Sequence, residues 1–174
     1  MSKQLLPDDI DELAARVVSE NETAGRKVAL AESCTGGLVA AAITEIPGSS
    51  SVLDRGFVTY SNEAKMESLG VAQDIIETFG AVSIACVWAM AQGALKNSNA
   101  DVAVAISGVA GPGGGTQLKP VGTVVFARAY RNQDGEPEGE LKHFDGNEDA
   151  ASGLSERASI RRQATICALE LLLP

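Results

Sequence analysis

The sequence predicts an α/β protein: a three-layer α/β/α sandwich with a mixed central sheet, organised as a single domain over residues 1–174. Three observations predict it. Short apolar runs of strand length, KVALA at 27–31 and DVAVAIS at 101–107, open directly into glycine-rich turns. Abundant alanine and 18 glycines set against 4% aromatic residues favour helices packed closely on a sheet over fibrous or disordered chains. A chain of 174 residues with 45% hydrophobic content buries one sizeable core without staples.

The elements follow in order. Over 8–20, Ile10, Leu13, Val17 and Val18 recur at helical spacing behind an acidic first turn, which predicts an amphipathic helix. Residues 27–31 read as a buried strand that feeds the turn Ser33-Cys34-Thr35-Gly36-Gly37 and an Ala-rich helix to about Ile46. Pro47-Gly48-Ser49-Ser50 is a turn, and 52–60 has strand composition. Ser61 caps a helix that Gly70 stops; a shorter helix covers 74–79, and Ser83 caps a longer one to about Lys96. The strand 101–107 opens into GVAGPGGGTQLKP, followed by a strand over 121–130. A polar hairpin connection over 131–139 lets 141–144 pair back, and 149–173 reads as a final helix.

Charge and cysteine usage bound the partners. With 14 basic and 23 acidic residues the net charge is −9, a surface that repels phosphate backbones and anionic lipid. Neither nucleic acid nor membrane is expected as a partner, whereas a small anionic ligand fits a local pocket of N–H groups and one or two cations. Cys34, Cys86 and Cys167 are odd in number and widely spaced, so they suggest neither a disulfide framework nor a zinc site. The N-terminal stretch MSKQLLPDDIDELAARVV has charges inside every apolar run and no signal-peptide core; no run reaches membrane-spanning length. A cytoplasmic protein is expected.

The chemistry concentrates in two glycine-rich stretches, Ser33 to Gly37 and Gly111 to Thr116, both after strands, where α/β proteins place ligands. Neither matches a Walker or dinucleotide fingerprint. In the first, Gly36 and Gly37 let N–H groups at a helix start approach an anion, with the hydroxyls of Ser33 and Thr35 alongside; the plain alternative is a capped tight turn. His143 is the only histidine and sits in a polar late strand, which argues against a Ser-His-Asp triad. A lysine kept neutral can activate a serine instead, with a tyrosine hydroxyl as relay; Lys65 and Tyr60 are the candidates, against a surface Lys and a half-buried Tyr. Cys34 is a rival nucleophile at the same helix start, or a buried structural thiol. Arg55 and Lys119 are candidate phosphate partners, while Arg157, Arg161 and Arg162 read as ion-pairing residues beside acids such as Glu156.

Three stretches, ALAESCTGGLVAAAITEIPGSS, DRGFVTYSNEAKMESLGV and ISGVAGPGGGTQLKPVGTV, together resemble the C-terminal domain of the competence/damage-inducible protein CinA, the nicotinamide-nucleotide amidase family. The resemblance spans about 27–129 with a compatible Arg-bearing final helix. The length leaves no room for the pyrophosphatase-like domain of longer members, so a stand-alone form is expected. The resemblance implies hydrolysis of the carboxamide of nicotinamide mononucleotide (NMN) to nicotinate mononucleotide and ammonia, with no metal or organic cofactor. It implies Ser33 as nucleophile, with Tyr60 and Lys65 in proton transfer. Which of Ser33 and Thr35 attacks is open on the residues alone. The N–H groups around Thr35 and Gly36 are expected to hold the oxyanion, and Gly113, Gly114, Gly115 and Thr116, with Arg55 or Lys119, the phosphate. One departure is the apolar stretch at 84–88, where family members tend to be polar: a dimer contact or a better-buried helix. A homo-oligomer is expected. The alternative function is a catalytically silent nucleotide-binding or interaction module; direct DNA binding conflicts with the charge.

Overall fold

A computed structural model describes residues 5–135 and 137–174. Residues 1–4, at the start of the stretch read for a targeting signal, and Glu136 of the hairpin connection lie outside the described residues. The elements run α1 (Asp8–Thr23), β1 (Val28–Glu32), α2 (Leu38–Glu45), β2 (Leu53–Val58), α3 (Asn62–Leu69), α4 (Gln73–Phe79), α5 (Ile84–Lys96), β3 (Val102–Gly108), β4 (Thr123–Tyr130), β5 (Glu138–His143) and α6 (Glu156–Leu171). Short 3₁₀ turns occupy Ser49–Ser51 and Ala150–Ser152.

The strands form one mixed sheet in the order β2-β1-β3-β4-β5. β1 is parallel to β2 and β3, and β4 is antiparallel to β3 and β5. The two faces carry different side chains. Val28, Leu30, Val102, Val104, Ile106 and Phe126 meet α1, α2 and α6 on one side. Ala29, Ala31, Ala103, Ala105, Ala127 and Ala129 face the other way, and their small size seats α5 close against the sheet. The apolar stretch at 84–88 belongs to that layer: Cys86 and Val87 are fully buried, so the helix, at these positions, is a better-buried one.

Local chemistry accounts for the boundaries. Ser61, Ser83 and Ser155 cap α3, α5 and α6, each hydroxyl accepting from the N–H three residues on. The last helix starts at Glu156 and not at 149, because Gly153 takes a left-handed conformation and Ser155 supplies the cap. Among the described residues no helix is long and apolar enough to cross a membrane.

In β1 and β3 the register pairs Glu32 with Ile106, so the turns that follow both strands open at the same end of the sheet. That shared end is where the two glycine-rich stretches meet.

Candidate active site

The first wall of the cleft is the turn after β1. Ser33 N–H still donates to Ile106 O at 2.9 Å, and the chain then turns, with Gly36 N–H donating back to Ser33 O at 3.0 Å. Gly36 and Gly37 have φ of +61° and +100°, a left-handed pair that side chains rarely tolerate. Glu32, 1% exposed, swings its carboxylate over the start of α2 and accepts from Thr35 Oγ1 at 2.6 Å. It also accepts from the N–H groups of Gly37, Val39 and Ala40. On the other side Arg161 donates from Nε to Cys34 O at 3.1 Å and from Nη2 to Thr35 O at 3.2 Å.

Lys65 comes from α3, and its side chain, 1% exposed, folds back toward the end of β2. Nζ lies 2.8 Å from Thr59 O, 3.5 Å from Tyr60 O and 3.1 Å from Ser33 Oγ. Burial pulls the amine below its ordinary value, while the Cys86 and Cys34 thiols pull the other way. A neutral amine has two N–H bonds and one lone pair. Were the amine neutral, the carbonyls of Thr59 and Tyr60 would take its N–H bonds and its lone pair would face the Ser33 hydroxyl. Amine and hydroxyl thus stand within hydrogen-bond reach in a buried corner of the cleft.

The cleft holds about 280 Å³, with Ser33, Lys65, Ser107, Gly113, Gly114 and Arg157 on its walls. Arg157, from the first turn of α6, spans its rim: Nη1 donates to Gly111 O at 2.6 Å and Nη2 to the Tyr60 hydroxyl at 3.1 Å. Among the described residues Arg157 forms no salt bridge, and no group of three or more His, Cys, Asp or Glu side chains is arranged to hold a metal ion.

A family model described as the CinA C-terminal domain matches residues 10–174. The chain belongs to the CinA C-terminal domain family. It is 48% identical over 164 residues to the nicotinamide-nucleotide amidohydrolase PncC of Escherichia coli K12, covering 94% of this chain and 93% of that protein. A CinA-like protein of Akkermansia muciniphila is 60% identical over 105 residues, 60% of this chain. The chain spans only 25% of that protein's length, and 37% of a putative competence-damage inducible protein of Symbiobacterium thermophilum. The crystal structure of the competence/damage inducible protein CihA from Agrobacterium tumefaciens superposes with a TM-score of 0.86 at 47% identity, covering 99% of this chain and 97% of that one.

In this CinA domain the sequence-predicted residues divide into two groups. Ser33, Lys65, Gly113 and Gly114 converge on one cleft. Tyr60 also lines it, is 62% exposed, and its hydroxyl accepts from Arg157, while the Lys65 amine approaches Ser33 Oγ directly. Gly36 and Gly37 do not offer their N–H groups to a ligand, since Ser33 O and the Glu32 carboxylate take them. Thr35 is buried with its hydroxyl on Glu32, so Ser33 alone of the two presents a hydroxyl to Lys65.

Arg55 lies away from the cleft walls. It pairs in register with Ala29, three residues before Glu32 and so about 10 Å back along the sheet, and its guanidinium binds Asp54. Gly115, Thr116 and Lys119 belong to a self-contained turn: Thr116 N–H donates to Lys119 O, Lys119 N–H to Thr116 Oγ1, and Lys119 Nζ to Phe79 O at 2.7 Å. That places the Lys119 charge at the end of α4, outside the cleft wall. Cys34 lines the cleft, yet burial pushes its thiol up to about 11, so it stays protonated near neutrality. His143 lies on β5 beside a separate hollow.

The sequence assigns no role to Glu32 or Ser107 and only ion pairing to Arg157 and Arg161. Their signals were present. A carboxylate closing the apolar run before S-C-T-G-G is costly to bury without donors, and Arg157 and Arg161, four apart on one helix, share a face. Of the three arginines on α6, only Arg162 pairs with acids among the described residues, Asp149 and Asp9.

Proposed function

We propose that this chain is a nicotinamide-nucleotide amidase that hydrolyses the carboxamide of NMN to nicotinate mononucleotide and ammonia. The observation that carries the reading is the 3.1 Å approach of the buried Lys65 amine to Ser33 Oγ inside a cleft that also holds a guanidinium. The near full-length likeness to a protein named for that activity supports it.

In this scheme Ser33 Oγ attacks the carboxamide carbon while Lys65 Nζ takes its proton. The tetrahedral oxyanion lies near the N–H groups of Cys34 and Thr35; that of Cys34 meets its own thiol, and that of Thr35 has no main-chain acceptor among the described residues. Lys65 then returns the proton to the departing nitrogen, the C–N bond breaks, and ammonia leaves an acyl-enzyme ester on Ser33. Water, activated by the same amine, hydrolyses the ester. Arg157, with Gly113 and Gly114, takes the phosphate, the part assigned from sequence to Arg55 and Lys119. Tyr60 orients Arg157 through its hydroxyl and contributes its carbonyl to Lys65.

The direct test is ammonia release from NMN by the purified protein. Wild-type protein turns over and Ser33→Ala does not; equal rates in the two, or a wild-type complex with NMN that stays intact for hours, would remove the assignment.

A further inference from the structure

The cleft wall that carries Ser33 is set by a residue outside the cleft. A βα turn ordinarily leaves the N–H groups at its helix start free for an anionic ligand. Here the anion is the chain's own Glu32, whose carboxylate gathers four donors: Thr35 Oγ1 and the N–H groups of Gly37, Val39 and Ala40. A helix that needed only a cap would carry it at position 37, where Gly37 has no side chain to give. The cap is delivered instead from five residues earlier, by the immediate neighbour of the nucleophile.

The main chain of Glu32 points the same way. Its carbonyl accepts from Thr59 N–H at 2.9 Å, and Thr59 O in turn accepts from Lys65 Nζ. Nucleophile and base are therefore tied through residue 32: Ser33 by the next peptide bond, Lys65 by two hydrogen bonds. Arg161 holds the far side of the same turn by its two carbonyls.

We propose that Glu32 is a positioning residue, whose carboxylate fixes the Ser33 turn so that Oγ stays within reach of Lys65 Nζ. The proposal rests on the Ser33–Lys65 site assigned above and deepens it. Glu32→Gln keeps the volume but can accept on only one oxygen, so its NH₂ group is driven against one of the four donors.

The test uses two readouts: labelling of Ser33 by a fluorophosphonate, followed by mass spectrometry, and the kcat and KM for ammonia release from NMN. In folded Glu32→Gln protein we expect labelling and kcat to fall together by about 10²-fold while KM stays within about threefold, the pattern of a misplaced nucleophile. Thr35→Val, which deletes one donor, is expected to lower both by about tenfold, and Thr35→Ser to recover most of that loss. Should Glu32→Gln fail to fold, the Thr35 pair decides. Folded variants that label and turn over at wild-type rates, or that lose only KM, overturn the proposal. If NMN is inert with every form while labelling falls as expected, the substrate assignment fails and the positioning role stands.

Discussion

Gly93→Ala tests how the fold delivers Lys65. Gly93 is buried in α5 where that helix meets the end of α3. A Cβ built there lands 2.8 Å from the carbonyl carbon of Leu69 and 3.0 Å from its Cα, with the carbonyl oxygen closer still. Ordinary contact starts at 3.4 Å, so the end of α3 has to retreat by about 1 Å. Leu69 is one turn from Lys65, whose own carbonyl accepts the N–H of Val71, so the displacement passes to the amine. Overpacking of this kind costs about 1–3 kcal/mol. In a chain of this length that lowers the melting midpoint by about 2–10 °C. A shift of about 1 Å in a proton acceptor is worth up to about 10²-fold in turnover. The assays are thermal denaturation followed by circular dichroism, and ammonia release well below the transition. The sign is decisive, because alanine is the better helix former by about 1 kcal/mol. A variant more stable than wild type, with unchanged turnover, would refute the reasoning that α3 is seated by this close approach.

Four further outcomes follow from the site. Because burial lowers the Lys65 pKa, the neutral amine is present at lower pH than in a free lysine: turnover should rise with pH through a value below 10.5 and then level, and Lys65→Met should lose that step with about 10²–10⁴ of the rate. By the same sign the unfolded chain holds one more proton between the folded value and 10.5, so Lys65 makes stability rise with pH across that window; denaturant midpoints of the two proteins compared over it should diverge, and parallel profiles would contradict this. Arg157→Ala should raise KM for NMN by about tenfold or more while Arg55→Ala stays within about twofold; the reverse order in steady-state kinetics would restore the phosphate site expected from sequence. Cys34, buried and raised to about 11, should alkylate with iodoacetamide near neutral pH far more slowly in native than in unfolded protein; equal rates by mass spectrometry would reinstate it as a reactive thiol.

The legible parts of the molecule were those whose cause is local. Helix starts at Ser61 and Ser83 and the stop at Gly70 were readable because a cap is satisfied within three or four residues. The two buried central strands were readable from their unbroken apolar runs. The position of Arg55 is not legible in the sequence, because a basic residue near a glycine looks the same from either end of a strand; its register with Ala29 tells where along β2 it lies. Glu32 was passed over because a charge closing an apolar run reads as a strand boundary until its donors are seen.

What the amino-acid order determined by itself was the α/β class, most element boundaries and the candidate serine and lysine of the cleft. What only the tertiary structure decided was which groups meet: Lys65 and Ser33 are 32 residues apart, Arg157 and Tyr60 are 97 apart. The reason is one of range. Capping and periodicity act over a turn or two of chain, whereas a site is assembled where separate strands end side by side, and that depends on sheet order and register that no local pattern specifies.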